Sequence, residues 1–165
     1  GLYWSKIPGT EGAKTPEPSD DYVIPFGKGR VALQADKSKI LYGETVVVIT
    51  YGMGVYWALK AAEEFDEQIS IVDLRTLAPW DEKLVISESN KHGRVMVLTE
   101  ESASPSFAGS VQGKIQLECF ENLDAPVLLL GAEDVPAIPL NSTLEHAMLP
   151  NAEKVASKLR ELLKY

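Results

Sequence analysis

The sequence predicts an α/β fold: a three-layer sandwich with a mostly parallel five-stranded sheet, one antiparallel edge strand and helices on both faces. Two observations lead to this prediction. Strand-like and helix-like segments alternate four times with short connections, which favours right-handed crossovers and parallel neighbours. The β-branched run at 45–51 has no polar gap, as expected of a strand buried on both faces of a sheet.

Each predicted element has its own local signal. Strands are expected at 30–33, 45–51, 69–74, 94–99 and 127–130, the last ended by Gly131. The first strand has no recognisable crossover helix after it, so it is expected at the antiparallel edge. Helices with apolar residues every three to four positions are expected at 54–66, 81–91, 107–123 and from Asn151 onward. Asp81 and Asn151 are typical N-caps, and Gly93 is placed to end the second of these helices.

Residues 1–29 are predicted to be a linker or arm, and residues 30–165 the folded domain. The first stretch is rich in proline and glycine, which is typical of segments that lie along a surface. The apolar start at Leu2, Tyr3 and Trp4 favours cover by a preceding part of a longer protein.

The composition is that of one globular domain of 165 residues, with 45% hydrophobic and 24% charged residues. The net charge of -8 argues against nucleic-acid binding. It suits either solubility alone or docking to a basic partner. The apolar runs are too short to cross a bilayer, and no secretory leader is recognisable. Cys119 is the only cysteine, so no internal disulfide is possible and a reducing compartment is favoured.

Tyr51-Gly52-Met53-Gly54 follows a strand and opens a helix, where backbone amides can hold a phosphate. A dinucleotide fingerprint requires a third glycine three residues later. That position is Trp57. A tight strand-to-helix turn is therefore favoured over nucleotide binding.

Two further groups of polar residues stand at predicted strand ends. Asp73 and Arg75 are interpreted as a structural pair at the sheet edge, with anion binding as the alternative. Glu100 and Glu101 are adjacent carboxylates, and such neighbours can raise a pKa for acid–base work. A capping or hinge role of the loop that follows is favoured over catalysis by Glu100.

The remaining reactive side chains have structural interpretations. His92 lies beside Gly93, where a cation is favourable at a helix end. His146 falls in a short helical piece, and Cys119 lies on the apolar stripe of its helix. Neither spacing nor residue type matches a metal site. The residues therefore indicate no catalytic, cofactor-binding or metal-binding centre.

From Val46 to its end, the chain resembles the carboxy-terminal domain of the transketolase group. It is most similar to the β subunit of thiamine-diphosphate-dependent 2-oxo acid dehydrogenases, with the branched-chain type slightly favoured over the pyruvate type. The arm at 21–29 resembles the family's linker. The matching blocks, in the family's order, are Val48-Ile49-Thr50-Tyr51-Gly52, Val72-Asp73-Leu74-Arg75-Thr76-Leu77-Ala78-Pro79-Trp80-Asp81, Gly93-Arg94 leading to Glu100, Phe107, Glu118-Cys119-Phe120-Glu121-Asn122-Leu123-Asp124-Ala125-Pro126 and Leu149-Pro150.

The resemblance implies which reaction the intact enzyme catalyses and whether this chain takes part in the catalysis. Family members decarboxylate a 2-oxo acid and transfer the acyl group to lipoyl-lysine. Their thiamine diphosphate and magnesium lie between the α subunit and an amino-terminal pyrimidine-binding domain of β, which is expected to be missing here. Leu2, Tyr3 and Trp4 would then be the remnant of its last strand. This chain is accordingly expected to bind neither cofactor and to catalyse nothing alone.

The resemblance also implies partners. These are an α subunit or fused α domain, a second β subunit, and the basic peripheral-subunit-binding domain of the dihydrolipoyl acyltransferase. Glu121, Asp124 and the terminal carboxylate of Tyr165 are expected to contribute to docking. The compartment would be the cytoplasm in a bacterium and the mitochondrial matrix in a eukaryote. The alternatives are the equivalent domain of a transketolase or deoxyxylulose-phosphate synthase, and a free nucleotide-binding module.

Overall fold

The computed structural model describes residues 16–104 and 106–165. In this part of the chain the strands are β1 (Arg30–Leu33), β2 (Val46–Thr50), β3 (Ile69–Asp73), β4 (Val95–Ser102) and β5 (Leu128–Ala132). They form one sheet in the order β1-β3-β2-β4-β5. β1 pairs antiparallel with β3, and the other neighbours are parallel. The predicted fold class, with its antiparallel edge strand, is confirmed.

The described helices cover both faces of this sheet. They are α1 (Lys37–Leu41), α2 (Met53–Ala62), α3 (Glu82–His92), α4 (Phe107–Glu118), α5 (Ser142–Met148) and α6 (Ala152–Leu162), with a 3₁₀ turn at Phe120–Asn122. Val46 and Val48 pack in one core with residues of α2 and α6. Val47 and Ile49 pack in a second core with residues of α3 and α4. Alternate residues of a strand point to opposite faces, so β2 contributes to both cores and is buried along its whole length.

The predicted helix caps are confirmed. The Asp81 carboxylate accepts the Leu84 N–H at 3.2 Å, and Asn151 accepts the Lys154 N–H at 2.9 Å. Gly93 ends α3 in the left-handed region, with φ of 65°. Each cap satisfies backbone groups that the helix itself leaves unpaired.

Several elements differ from the sequence predictions. Helix α2 ends at Ala62 and not at residue 66, and β4 continues to Ser102 and does not end at residue 99. Helix α1 was not expected, because none of its residues is buried and it therefore lacks an apolar stripe. The helix predicted to reach residue 123 ends at Glu118, and the 3₁₀ turn follows. Strand β5 continues through Gly131 instead of ending there. A Cβ at that glycine would lie 2.7 Å from the Glu101 carbonyl oxygen, so the close approach of the chain requires glycine.

The arm from residue 16 to residue 29 is irregular and mostly exposed. It is tied to the domain where the Gly27 N–H donates to Thr76 Oγ1 at 2.9 Å and the Gly29 N–H donates to Asp81 Oδ2 at 3.2 Å. The nearby Ala78–Pro79 peptide is cis. The predicted boundary at residue 29 stays a prediction, and the proposed strand remnant at residues 2–4 lies outside the described residues.

Candidate functional site

Asp73 ends β3 at the carboxyl edge of the parallel strands. Its Oδ2 lies 3.1 Å from Arg30 Nε, which forms an ion pair between β3 and β1. Its Oδ1 accepts the backbone N–H of Arg75 at 3.1 Å. The expected Asp73–Arg75 pair therefore needs correction, because Arg75 contributes its amide and Arg30 contributes the charge. The antiparallel register aligns Arg30 directly with Asp73, which no spacing along the sequence reveals.

A hydrogen-bonded network joins β2 to β4 at the same edge. Thr50 is aligned with Leu98 in the parallel register, which brings Tyr51 beside Thr99. The Thr99 hydroxyl donates to Tyr51 Oη at 2.9 Å, and Tyr51 donates to Glu101 Oε1 at 2.8 Å. Burial, reinforced by the Glu101 carboxylate, raises the pKa of Tyr51 to about 12. Tyr51 therefore remains a neutral donor at physiological pH.

This network lies at the topological switch point, where open α/β sheets usually hold their ligands. In the sheet, β3 lies on one side of β2 and β4 lies on the other side, so the chain reverses its direction of progress across the sheet after β3. The Tyr51 ring meets Phe107 edge-on, with 5.8 Å between ring centroids. The crevice between β2 and β4 is thus spanned by side chains that bond to one another. Sequence reasoning missed this network because it depends on register between strands far apart in the chain.

The glycines after β2 form the tight turn that the sequence favours. Gly52 has φ of 59°, a conformation that suits glycine. A Cβ on Gly54 would collide with Thr50 Oγ1, which itself donates to the Leu98 carbonyl at 2.9 Å. Trp57, where a nucleotide fingerprint requires glycine, packs against the buried core on the α2 side. Gly52 therefore serves the backbone conformation of the turn, whereas Gly54 and Trp57 have packing roles.

The adjacent carboxylates Glu100 and Glu101 differ in their contacts. Glu101 accepts from Tyr51 and, at 3.3 Å, from the Phe107 N–H at the start of α4. Glu100 is exposed. Glu101 thus stabilises the loop and the helix start, in line with the capping role favoured from the sequence.

His92 lies at the opposite edge of the sheet and is 1% exposed. Its Nδ1 is 2.6 Å from Thr45 Oγ1, while its Nε2 is 3.8 Å from Glu88 Oε2. Burial lowers the pKa of His92 to about 4, although Glu88 opposes this shift. The expectation that His92 acts as a cation at the helix end is therefore wrong, because desolvation keeps the ring neutral.

The three residues expected to bind partners lie at this amino edge of the parallel strands. Glu121 is exposed on the 3₁₀ turn. Asp124 is exposed, and its N–H donates to the Gly93 carbonyl at 2.8 Å. Tyr165 follows α6 and is 62% exposed. Arg160, one turn earlier, pairs with Glu64 ahead of β3, which places the end of α6 at the same edge.

Other features define no further site. A groove of about 710 Å³ lies between the arm, α3 and the end of α4, and both acidic and basic side chains line it.

Cys119 is buried in the core as expected, and burial raises its pKa. Across residues 16–104 and 106–165, no three potential ligand side chains cluster as a metal site requires. None of the helices described is both long and apolar enough to span a membrane.

Residues 36–155 match the family model described as Transketolase, C-terminal domain. The chain is a member of the transketolase carboxy-terminal domain family.

Relatives with described functions include β subunits of 2-oxo acid dehydrogenases. The 2-oxoisovalerate dehydrogenase subunit beta of Bacillus subtilis (strain 168) is 36% identical over 151 residues, which are 90% of this chain and 44% of the relative. The pyruvate dehydrogenase E1 component subunit beta of Rhizobium meliloti (strain 1021) is 32% identical over 144 residues, which are 86% of this chain and 29% of the relative. The resemblance inferred from the sequence blocks is confirmed, including the preference for the branched-chain type.

A solved structure described as a split gene transketolase, inactive beta4 tetramer, has a TM-score of 0.68 at 22% identity. The match covers 90% of this chain and 46% of that chain. At this identity it shows the shared fold alone. The chain spans less than half the length of each of these three proteins.

Proposed function

We propose that this chain is the carboxy-terminal assembly domain of the decarboxylating component of a 2-oxo acid dehydrogenase complex. The intact enzyme would decarboxylate a 2-oxo acid oxidatively and transfer the acyl group to lipoyl-lysine. The names of the relatives, 2-oxoisovalerate dehydrogenase and pyruvate dehydrogenase β subunits, support this class. The corresponding compartment is the cytoplasm in a bacterium or the mitochondrial matrix in a eukaryote.

In this proposal thiamine diphosphate and magnesium are held by other parts of the intact enzyme. A magnesium-bound diphosphate requires carboxylate or amide oxygens that are free to coordinate the metal. At the carboxyl edge, Asp73 already pairs with Arg30 and accepts the Arg75 amide. Glu101 likewise accepts from Tyr51 and Phe107. Asp73 and Glu101 are therefore already engaged by other groups of the domain, and no catalytic step is assigned to them.

The observation that carries the assembly role is the acidic surface at the amino edge. Glu121 and Asp124 are exposed, and neither makes an ion pair within the described part of the chain. Unneutralised carboxylates on a chain of net charge -8 attract a basic partner over about a Debye length. Tyr165 adds an exposed group at the same edge.

The proposed partners are the basic peripheral-subunit-binding domain of the acyltransferase at this edge, a second β subunit, and the α subunit or fused α domain. Only the first makes use of the acidic residues directly. The docking step can therefore be tested separately from subunit pairing.

Calorimetric titration of the peripheral-subunit-binding domain into the chain tests the docking role. Glu121→Gln combined with Asp124→Asn is expected to weaken binding at least tenfold at low salt, with a smaller loss at high salt. The matched control is Glu133→Gln combined with Asp134→Asn, which removes two exposed charges that follow β5 at the opposite, carboxyl edge of the sheet. Equal affinities for the Glu121 and Asp124 double variant and the wild type would contradict the assignment of these residues. Absence of wild-type binding would contradict the docking function itself.

A further inference from the structure

Two large apolar side chains are exposed at the corner between α4 and β5. Leu117 on the last turn of α4 is 78% exposed, and Phe120 on the 3₁₀ turn is 70% exposed. We name these two residues the anchor pair. Glu121 follows Phe120 directly, so an apolar patch and an exposed carboxylate stand side by side.

The corner that displays the anchor pair is held in place by the core and by neighbouring loops. Cys119, between the two residues, is fully buried, and its N–H donates to the Ile115 carbonyl at 2.8 Å. The Asn122 side chain donates to Asn90 Oδ1 at 3.2 Å. An interface whose backbone is already fixed loses less conformational entropy on binding.

The charge around the corner is one-sided. No lysine or arginine occurs from residue 115 to residue 153, a stretch that includes both the corner and β5. The acidic residues of the corner itself are Glu118, Glu121 and Asp124, whereas Glu133 and Asp134 follow β5 at the opposite, carboxyl edge of the sheet. The nearest cation along α4, Lys114, is 2.6 Å from Glu82 and 2.7 Å from Glu118. The corner therefore carries the exposed carboxylates Glu121 and Asp124 beside its two apolar side chains.

We propose that the anchor pair is the apolar centre of the surface that docks a basic helical domain, with Glu121 on its rim. This inference rests on the proposed function and identifies the residues that supply affinity there. Binding energy usually concentrates in a few large apolar side chains at the centre of an interface, while rim charges set association rate and specificity. A second copy of this chain is disfavoured as the occupant, because pairing this face with itself would bring carboxylates together.

The test titrates the peripheral-subunit-binding domain into Phe120→Ser and Leu117→Ser variants of the full chain. The Phe120 variant is expected to bind about 30-fold more weakly, as for a central anchor. This loss should persist at about 0.5 M salt, whereas the loss caused by Glu121→Gln should shrink there. The control is Leu140→Ser, which changes a fully exposed leucine beyond β5. Circular dichroism verifies that each variant is folded.

Each other result overturns the inference in a distinguishable way. If both serine variants bind like the wild type while the Glu121 and Asp124 double variant binds weakly, the anchor role is wrong and the proposed docking stands. If the wild type does not bind, both fail. If ultracentrifugation shows a dimer that Phe120→Ser dissociates, with unchanged affinity for the domain, the face is a self-interface.

Discussion

Acidification from about pH 7 to about pH 5 is expected to destabilise the folded chain through His92. The ring is 1% exposed and lies against Thr45, with Glu88 and Lys91 as its charged neighbours on α3. Burial lowers its pKa from 6.5 to about 4. The unfolded chain, in contrast, exposes the ring to water and protonates it near its ordinary pKa.

The sign and size of the effect follow from proton linkage. Well above pH 6.5 the ring is neutral in both states and contributes no pH dependence. Between pH 6.5 and 4 the unfolded state binds a proton that the folded state does not, so stability falls as the pH falls. The two pKa values give a loss of about 2 kcal/mol at pH 5 and roughly 3 kcal/mol below pH 4. The loss at pH 5 corresponds to a decrease of about 4–8 °C in Tm.

Urea unfolding, followed by circular dichroism at both pH values, measures this effect. His92→Asn keeps a polar atom near the Thr45 hydroxyl and removes the titrating group. Between pH 7 and pH 5, the free energy of unfolding of the wild type should fall by about 2 kcal/mol more than that of His92→Asn. The control His146→Asn, at an exposed histidine, should follow the wild type. Identical pH dependences for the wild type and His92→Asn would refute the reasoning.

Two glycines and one tyrosine give the remaining predictions. Gly54→Ala should lower the free energy of unfolding by about 2 kcal/mol, because its Cβ would collide with Thr50 Oγ1. Gly113→Ala, in the interior of α4, should raise it by up to about 1 kcal/mol, because nothing lies within 4 Å of the added Cβ. Tyr51→Phe should cost about 1 kcal/mol, because Glu101 loses a hydrogen-bond donor. Urea unfolding at neutral pH measures all three, and the opposite sign for either glycine variant would contradict the packing described.

Local signals were sufficient to predict most of the fold. Asp81 and Gly93 mark the two ends of α3 through capping chemistry that involves only nearby residues. The apolar run at β2 predicts a central strand because burial on both faces requires it. Helix α1 could not be predicted this way, since it buries no residue and follows no helical periodicity.

The site residues were harder to predict because their environments arise from register and tertiary packing. Asp73 pairs with Arg30, which is distant in sequence and aligned only by the antiparallel register. The Tyr51–Glu101 contact depends in the same way on the pairing of β2 with β4. His92 has the sequence context of a helix-end cation, and its burial beside Thr45 reverses that interpretation.

The proposal that this chain is a non-catalytic assembly domain is tested most directly by a turnover assay. The purified chain is incubated with a branched 2-oxo acid, thiamine diphosphate and magnesium, and released carbon dioxide is measured. The account predicts the same rate as for the coenzyme without protein. Carbon dioxide release that increases with the concentration of the chain would contradict it.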